Sequence, residues 1–482
     1  MTRILRLVVV LGLATGLFFA KDLFSVIDLA KPAGNTYEVS ARDLQLNCNG
    51  PAVIAGGKSG ISVTNFRRIG KTSTVSSYSG ASGTSLTGNS SNPLIGFGGR
   101  QDLSNLISGT QLLTVKDETG KTEQGSKLLT AMQIQLATDK KIRGLLAAPC
   151  LRPQSEFWFV GGSTKVGREA LLLLNNPSQV DATVDLEIFT ENGTSHSAGL
   201  SGIAVPKGKT TILPLASFVL GADSITVHVL SQGGSITALI QQKAIRGLSA
   251  SGADYVLPSE TISNESYFPG IFVRGQIASA TLRKNSSKYY DVKNMLRVYV
   301  PGEQDAKLTL QILGSNTETF GTVIQVSAPA GKVSDFDING LQDGDYFGIL
   351  NSDVPVRSAI RLIRTKLGSD AYTDFAWVNA AEAFNSTRYV AIPKSGISKL
   401  ALVNPTSKTV SVSVSQGAES KVVRIKGLSE AVVPVNTGLA VGLTPSDAAI
   451  HANLVIDVKG RVSIIPVLDE KNISGEVSVS VH

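Results

Sequence analysis

The sequence predicts an all-β fold: tandem immunoglobulin-like β-sandwich domains that follow an N-terminal membrane segment. Short alternating or apolar stretches are separated by Gly, Pro and Asn along most of the chain, which is typical of successive strands and hairpins. One such phrase recurs at intervals of roughly one hundred residues, the usual size of a sandwich domain. The chain begins differently, with a basic and then apolar stretch.

The N-terminus has the layout of a signal sequence. Arg3 and Arg6 precede an apolar run that ends at Ala20, and a positive flank of this kind stays on the cytoplasmic side. Two Phe precede Ala20, where cleavage favours small residues, so a signal anchor within residues 1–34 is favoured over a cleaved signal. We therefore expect a cell-membrane location, with one N-terminal span and the bulk of the chain extracytoplasmic, or secretion if the signal is cleaved.

The recurring phrase predicts the domain organisation. LLLLNNPSQVDATVDLEIF (171–189) and LALVNPTSKTVSVSVSQ (400–416) share an apolar run, an Asn-Pro break and an alternating stretch, and MLRVYVPGEQDAKLTLQILG (295–314) holds the same place between them. The alternating side buries Val, Leu and Ile against a second sheet, and Pro belongs in the turn between strands. We predict three β-sandwiches, over residues 150–258, 259–370 and 371–482.

The residues before them are predicted to form a divergent β domain, 35–149. Its end, KKIRGLLA (140–147), resembles KAIRGLSA (243–250) at the end of the next unit. The segment 72–99 is rich in Ser, Gly and Thr and has no charged residue. Its composition predicts a long flexible loop or a low-complexity linker.

The two cysteines, Cys48 and Cys150, indicate one disulfide. An even count in an exported chain favours pairing, and the alternative is two buried free thiols. Neither cysteine has a second Cys or a His at ligand spacing, so no metal site is predicted at either.

The basic balance of the chain has several interpretations. The net charge is +7, which suits nucleic acid, an anionic membrane face or an acidic wall polymer, or serves only solubility. The local clusters RRIGK (67–71) and RKNSSKYYDVKNMLR (283–297) are short and interrupted. Since no recognition helix or RNA-binding signature accompanies them, no nucleic-acid partner is expected.

The segment DFDINGLQDGDY (335–346) partly matches a calcium loop. Asp335, Asp337, Asn339 and Asp343 stand at ligand positions, but Tyr346 replaces the bidentate Glu and flanking helices are absent. We interpret the segment as an acidic strand followed by an Asp-Gly turn, with calcium binding as the open alternative.

No motif for catalysis or for a cofactor is found, so no catalytic residue and no cofactor is predicted. His228 and His451 lie within strand patterns of equivalent hairpins, which favours packed or edge residues over a catalytic base. Trp158 and Trp377 occur at one apparent place in the repeat, which favours core packing over stacking on sugar rings.

The stretch CLRPQSEFWFVGGSTKVGREALLLLNNP (150–177), with the Asn-Pro phrase, VPKGK and IRGLSASGAD that follow, resembles a family of exported proteins from high-GC Gram-positive bacteria that is known only as a domain of unknown function. The segment LQLNCNGP around Cys48 also resembles that family, although Asn49 stands where the family has Pro. The resemblance implies an N-terminal membrane anchor and a cell-envelope location, and it implies no catalytic residue.

These observations predict a membrane-anchored extracytoplasmic protein that binds or scaffolds in the cell envelope without catalysis. Its partner would be cell-wall glycan or an envelope protein. The main alternative is an accessory subunit that positions an envelope polysaccharide enzyme or transporter. A hydrolase with an unrecognised site is a third possibility.

Overall fold

The computed structural model is an all-β protein with several sheets. It describes residues 35–39, 44–55, 65–79, 85–87, 94–95, 101–115, 128–316, 321–468 and 475–479. Within these ranges no helix is long and apolar enough to cross a membrane. The predicted signal anchor, residues 1–34, lies outside them.

The strands follow one another closely along the whole described chain. Within predicted range 35–149 they are β1 (Asn35–Val39), β2 (Leu44–Cys48), β3 (Val53–Ala55), β4 (Phe66–Arg68), β5 (Thr72–Ser79), β6 (Ser85–Thr87), β7 (Leu94–Ile95), β8 (Gln101–Ile107), β9 (Gln111–Val115), β10 (Leu128–Asp139) and β11 (Ile142–Pro149). Within 150–258 they are β12 (Glu156–Val160), β13 (Arg168–Asn175), β14 (Ala182–Thr190), β15 (Gly193–Thr194), β16 (Ile203–Val205), β17 (Thr210–Pro214), β18 (Ile225–Gly233), β19 (Thr237–Arg246) and β20 (Ser249–Val256).

The second half of the chain continues in the same way and adds a helix. Within 259–370 lie β21 (Ser263–Val273), helix α1 (Gln276–Asn285), β22 (Met295–Tyr299), β23 (Ala306–Gly314), β24 (Thr322–Ala328), β25 (Val333–Asp337) and β26 (Gly344–Lys366). Within 371–482 lie β27 (Tyr372–Asn379), β28 (Ala383–Phe384), β29 (Arg388–Val390), β30 (Ile397–Asn404), β31 (Val410–Gln416), β32 (Glu419–Ile425), β33 (Ser429–Val435), β34 (Val441–Pro445), β35 (Ile450–Val458), β36 (Arg461–Pro466) and β37 (Gly475–Val479). Two 3₁₀ turns lie at Leu215–Ser217 and Ser287–Tyr289.

The chain forms two compact units. In the smaller one, β1 pairs with β37 in an antiparallel ladder. The larger unit contains all the other strands, in antiparallel sheets. It is the unit that carries every site described below.

Two of the three predicted sandwich ranges contain pairs of sheets, whereas the strands of 259–370 are joined in one seven-stranded sheet through the long strand β26. In 150–258 the sheet β12–β18–β14–β15 faces the sheet β17–β13–β19–β20, and a shared apolar core holds Phe157, Leu172, Val184 and Ile240 together. In 371–468 the sheets are β28–β35–β30–β33 and β29–β34–β31–β32. The alternating phrases give strands β14, β23 and β31, whose apolar residues are buried at every second position, as predicted. The domain boundaries themselves stay predictions.

The repeated Asn-Pro phrase is explained by a buried side chain. Asn176 accepts hydrogen bonds from the backbone N–H and the hydroxyl of Ser178, at 3.0 and 2.6 Å, and donates to the carbonyls of Val180 and Val205. Asn404 makes the same contacts, from Thr406 and to Lys408 and Ile425. Each Asn thus closes its own turn and ties that turn to a later strand.

Part of the predicted loop 72–99 is in fact strand. β5 pairs with both β8 and β10, and its Thr72, Thr74, Val75 and Ser76 are buried. Small hydroxyl side chains suit a crowded sheet interior, where their oxygen can bond to a neighbouring backbone; Thr72 donates to the carbonyl of Ile134 at 3.0 Å. A low charge and a high Ser/Thr content therefore did not mean a loop here. The segment also holds β6 and β7.

The apolar cores cross the predicted boundaries. One core unites Val75 and Leu146 with Leu171 and with Leu400 and Leu454. A second joins Phe157 and its neighbours to Ile363 and Trp377, and a third joins Phe268 to Ala401 and Val455. The sheet pairs of the larger unit are therefore packed on one another.

Candidate functional site

Four strands meet where the sheet pairs pack together. We call β11, β20, β27 and β36 the closing strands, because each is the second strand of a hairpin, with β10, β19, β26 and β35 as the respective first strands. β11 contacts β20 and β36, and β27 contacts the same two strands. No ladder of backbone hydrogen bonds joins them.

Asp374 joins three of the closing strands. It lies in β27, is fully buried, and its two carboxylate oxygens accept the N–H groups of Leu145 in β11 and Ala253 in β20, each at 3.1 Å. Burial raises the pKa of Asp374 to about 7, although these N–H groups and the charge of Arg461 act to lower it. The carboxyl group of Asp374 therefore supplies hydrogen bonds between β11, β20 and β27, which no backbone ladder joins.

Asp254 in β20 makes the reciprocal contact. Its carboxylate accepts the backbone N–H of Trp377 at 2.8 Å and the hydroxyl of Ser463, in β36, at 3.2 Å. Burial, and the nearby charge of Asp374, raise the pKa of Asp254 well above its usual range. The two carboxyls together bind all four closing strands to one another. Both are at most 1% exposed, so they bind groups of the neighbouring strands and not a ligand from solvent.

A basic pocket lies where three closing strands begin. This turn-end pocket, of about 640 Å³, is lined by Arg143 at the start of β11, Lys366 and Tyr372 around the β26–β27 turn, and Lys459 and Arg461 around the β35–β36 turn. Asp370 is the one carboxylate among its lining residues. The pocket can hold an anion.

A second pocket lies where the four closing strands end. This disulfide-end pocket has a volume of about 160 Å³. Each of the four hairpins contributes one lining residue at or just after its end: Pro149, Pro258, Asn379 and Pro466. Because β11, β27 and β36 begin near the turn-end pocket and end at this one, these three strands run in the same direction. Glu260 and Glu382 also line this pocket, and Arg388 lies 3.5 Å from the Glu382 carboxylate.

Comparison with known proteins gives a family for the chain. The sequence model of a family of unknown function, DUF5719, matches residues 108–443. The chain belongs to this family. The matched region includes β11, β20 and β27 and ends before β36. The predicted resemblance to an uncharacterised family is confirmed.

Beyond this family, few similarities to known proteins are found for this DUF5719 protein. No curated protein matches the chain. A crystal structure of a tetra-tandem repeat in the extending region of a large adhesion protein is similar at 11% identity, with 84% of this chain and 94% of that chain covered and a TM-score of 0.10. That score carries no argument about fold or function.

The predicted disulfide is present in this DUF5719 member. Cys48, at the end of β2, is bonded to Cys150, directly after β11. Both cysteines are buried, and Cys150 lines the disulfide-end pocket. The bond joins the end of strand β2 to the end of the closing strand β11.

The carboxylates of 335–346 have separate partners. Asp335 and Asp337 lie in β25, as the acidic-strand interpretation predicts, and pair with Arg297 and Lys293 at 2.7 Å. Asp343 instead accepts the N–H groups of Gly275 and Gln276 at the start of α1. Among the described residues no group of three or more His, Cys, Asp or Glu side chains is placed to hold a metal ion.

The two tryptophans do not occupy one place in the repeat, so that prediction is wrong. Trp158 lies in β12 and pairs with β18, whereas Trp377 lies in the closing strand β27 and pairs with β26. Short apolar phrases next to an Asn-Pro turn look alike in sequence whichever sheet they join. Trp377 is buried and donates to Gln242. Trp158 is half-buried, with the His228 ring 4.0 Å and the Arg357 guanidinium 4.1 Å from its ring.

His228 and His451 are packed strand residues, as predicted. His228 in β18 lies between the carboxylates of Glu187 and Glu156, at 2.7 and 2.9 Å. His451 in β35 is buried against the ring of Tyr267 and contacts the carbonyl of Ala381. Burial lowers the pKa of His451.

Sequence reasoning missed the turn-end pocket and the buried aspartates. The basic clusters 67–71 and 283–297, which the sequence predicted, are partly bound within the fold. Arg68 donates to two backbone carbonyls, and Arg297 and Lys293 pair with aspartates. The useful signal was the set of charged turns at equivalent repeat ends, around Arg143, Lys366 and Lys459. For Asp254 and Asp374 the signal was a lone Asp within an apolar strand.

Proposed function

We propose that this protein binds or scaffolds in the cell envelope, without catalysis, as an extracytoplasmic protein anchored in the membrane by a segment within residues 1–34. Its partner would be cell-wall glycan or an envelope protein. The resemblance to exported proteins of high-GC Gram-positive bacteria supports this assignment. The proposal includes an immunoglobulin-like relation between the tandem sheet pairs.

The disulfide supports an extracytoplasmic location. The bond between Cys48 and Cys150 closes 102 residues of chain, and such bonds persist mainly in oxidising compartments. The N-terminus, basic at Arg3 and Arg6 and then apolar, has the layout of an export signal and supports the same location.

The state of the charged groups supports binding. The most buried carboxyls, Asp254 and Asp374, are taken up by backbone N–H groups. The cations Arg143, Lys366 and Lys459 of the turn-end pocket, in contrast, have no carboxylate within 4 Å among the described residues. Free cations around a concave surface are the single observation that carries the proposal, since they suit a ligand of opposite charge.

The test uses the full-length chain with a C-terminal tag. Protease added to intact cells should remove the tag if the bulk of the chain is outside. Detergent-purified chain should then be retained by isolated cell-wall polymer, while residues 1–34 fused to an unrelated soluble protein report retention by the anchor alone.

Each outcome separates the candidate functions. Retention on polymer above the control supports a wall-binding module. Stoichiometric co-purification with a membrane enzyme or transporter supports the accessory-subunit alternative. Release of soluble fragments from the polymer contradicts a non-catalytic role, and recovery of neither polymer nor protein contradicts the proposal as a whole.

A further inference from the structure

The turn-end pocket gathers cations from three hairpin turns. Arg143 follows the β10–β11 turn, and Lys366 precedes the β26–β27 turn. Lys459 lies in the β35–β36 turn, and Arg461 follows it. These turns are far apart in sequence and come together only because the closing strands pack side by side. The volume of about 640 Å³ is within the range of small-molecule sites.

Several other cations of the larger unit are paired with nearby carboxylates. Lys165 pairs with Asp223, Lys243 with Glu169, Arg274 with Asp345, Lys293 with Asp337 and Arg364 with Asp457. Four cations in one pocket repel each other unless an anion lies between them. The described part of the chain supplies only the exposed Asp370 among the lining residues. The pocket lining therefore carries an excess of positive charge.

The β35–β36 turn supplies two of the cations. Lys459 adopts a left-handed backbone conformation, with φ at 54°, next to Gly460, a turn position where Asn, Asp or Gly is usual. The guanidinium carbon of Arg461 lies 4.5 Å from the centre of the Tyr372 ring. The β35–β36 turn thus places Lys459 beside Arg461 in the pocket lining, and the Tyr372 ring supports the Arg461 guanidinium there.

The donor set indicates the chemistry of that ligand. Arginine forks and lysine ammonium groups suit the oxygens of a phosphate, which accept several charge-assisted hydrogen bonds at once. The hydroxyl of Ser369, which also lines the pocket, can donate to the same group.

We propose that the turn-end pocket binds a phosphate group of the cell envelope, through Arg143, Lys366, Lys459 and Arg461. This inference rests on the proposed function and names its ligand class. The phosphate belongs either to the phosphodiesters of a wall polymer or to a lipid headgroup, and the experiment distinguishes the two.

The test compares the full-length chain with two charge-matched variants. The pocket variant carries Arg143→Gln, Lys366→Gln and Lys459→Gln; Arg461 is kept because it packs on Tyr372. The control variant carries Lys408→Gln, Lys421→Gln and Arg424→Gln, which removes the same charge from exposed residues outside the pocket. Unfolding midpoints should be alike, because all six side chains are exposed.

Binding is measured by titration calorimetry with a poly(glycerol phosphate) oligomer, and by co-sedimentation with phosphatidylglycerol or phosphatidylcholine vesicles. We expect the pocket variant to lose about tenfold or more in affinity for the phosphate probe, and the control variant about twofold or less. Affinity of the unchanged chain should fall steeply with salt. Binding to the soluble oligomer indicates a polymer source, and binding to phosphatidylglycerol vesicles alone indicates a lipid headgroup.

The failures of the two proposals differ. If both variants lose affinity for the phosphate probe equally, or neither loses any, the phosphate site is overturned. Retention of the unchanged chain on the wall polymer would still support the envelope-binding function. If the unchanged chain binds neither phosphate probe nor wall polymer, both are overturned.

Discussion

At the scale of single residues, buried polar side chains replace backbone hydrogen bonds that the strands do not make. Asn176 and Asn404 bind carbonyls at the ends of hairpins, and Asp254 and Asp374 bind N–H groups between closing strands. Each is at most 1% exposed. Leaving such groups unpaired is costly, so these side chains are determinants of the fold.

The Asn-Pro turns give the first prediction. Asn176→Ala and Asn404→Ala should each lower the free energy of unfolding by about 2–3 kcal/mol, because buried carbonyls lose their donors. Urea unfolding followed by circular dichroism measures the change. Asn192→Ala, at an exposed turn, should change stability by less than about 0.5 kcal/mol. Equal effects at the three positions would contradict the structural role of the phrase.

Glu430 gives a prediction of pH dependence. This buried carboxyl accepts the N–H of Gly270 at 2.7 Å and bonds to the hydroxyl of Ser315, and burial raises its pKa from 4.5 to about 8. The folded state therefore keeps a proton that the unfolded state loses, and stability falls as pH rises from about 4.5 to about 8. Asp374, with a pKa of about 7, acts in the same direction.

The variant Glu430→Gln separates this contribution. The amide can accept from Gly270 and donate to Ser315 without ionising, so stability near pH 5 should change little. Between pH 5 and pH 8 the loss of unfolding free energy should be smaller than in the unchanged chain by roughly 1–3 kcal/mol. Urea midpoints at the two pH values measure it. An unchanged pH dependence would contradict the buried, protonated carboxyl.

At the scale of elements, the closing strands approach each other closely because small residues stand where they meet. A Cβ on Gly144 of β11 would lie 2.3 Å from the backbone nitrogen of Ala253 in β20 and 2.8 Å from an oxygen of Asp374. A side chain at position 144 does not fit between β11 and β20. The close approach is what lets the Asp374 carboxylate reach Leu145 and Ala253 together.

Gly144→Ala should therefore destabilise the protein by about 3 kcal/mol or more, since backbone atoms cannot move aside as a side chain can. Gly193→Ala is the matched control: its φ of 107° also disfavours Ala, but nothing lies within 4 Å of the new Cβ, and about 1 kcal/mol is expected. Thermal unfolding of both variants checks the difference. Similar losses would show that backbone conformation, and not strand contact, decides the effect.

The sequence predicted individual strands better than their association. Alternation in β14 and β31 specifies which face is buried, and the two cysteines gave the disulfide. Alternation does not say which element covers that face, so the contacts among β11, β20, β27 and β36 were not predicted. The turn-end pocket was missed for the same reason, because Arg143, Lys366 and Lys459 are brought together only by those contacts.

At the scale of the whole molecule, the larger unit is held together by cores that run from one predicted domain into the next. Leu146, Leu171 and Leu454 belong to one apolar cluster although they fall in three predicted ranges. The strand β27 pairs with β26 across the boundary predicted at residue 370. Elements that share buried area and buried carboxyls are expected to unfold together.

Hydrogen exchange of the full chain, measured by mass spectrometry at increasing urea concentrations, tests this claim most directly. Peptides from β11, β20, β27 and β36 should lose protection at one common urea midpoint with one common slope, since the strands open only when the shared core opens. Separate midpoints for β11, for β20, and for β27 together with β36, as the predicted ranges divide them, would contradict a body closed around Asp254 and Asp374.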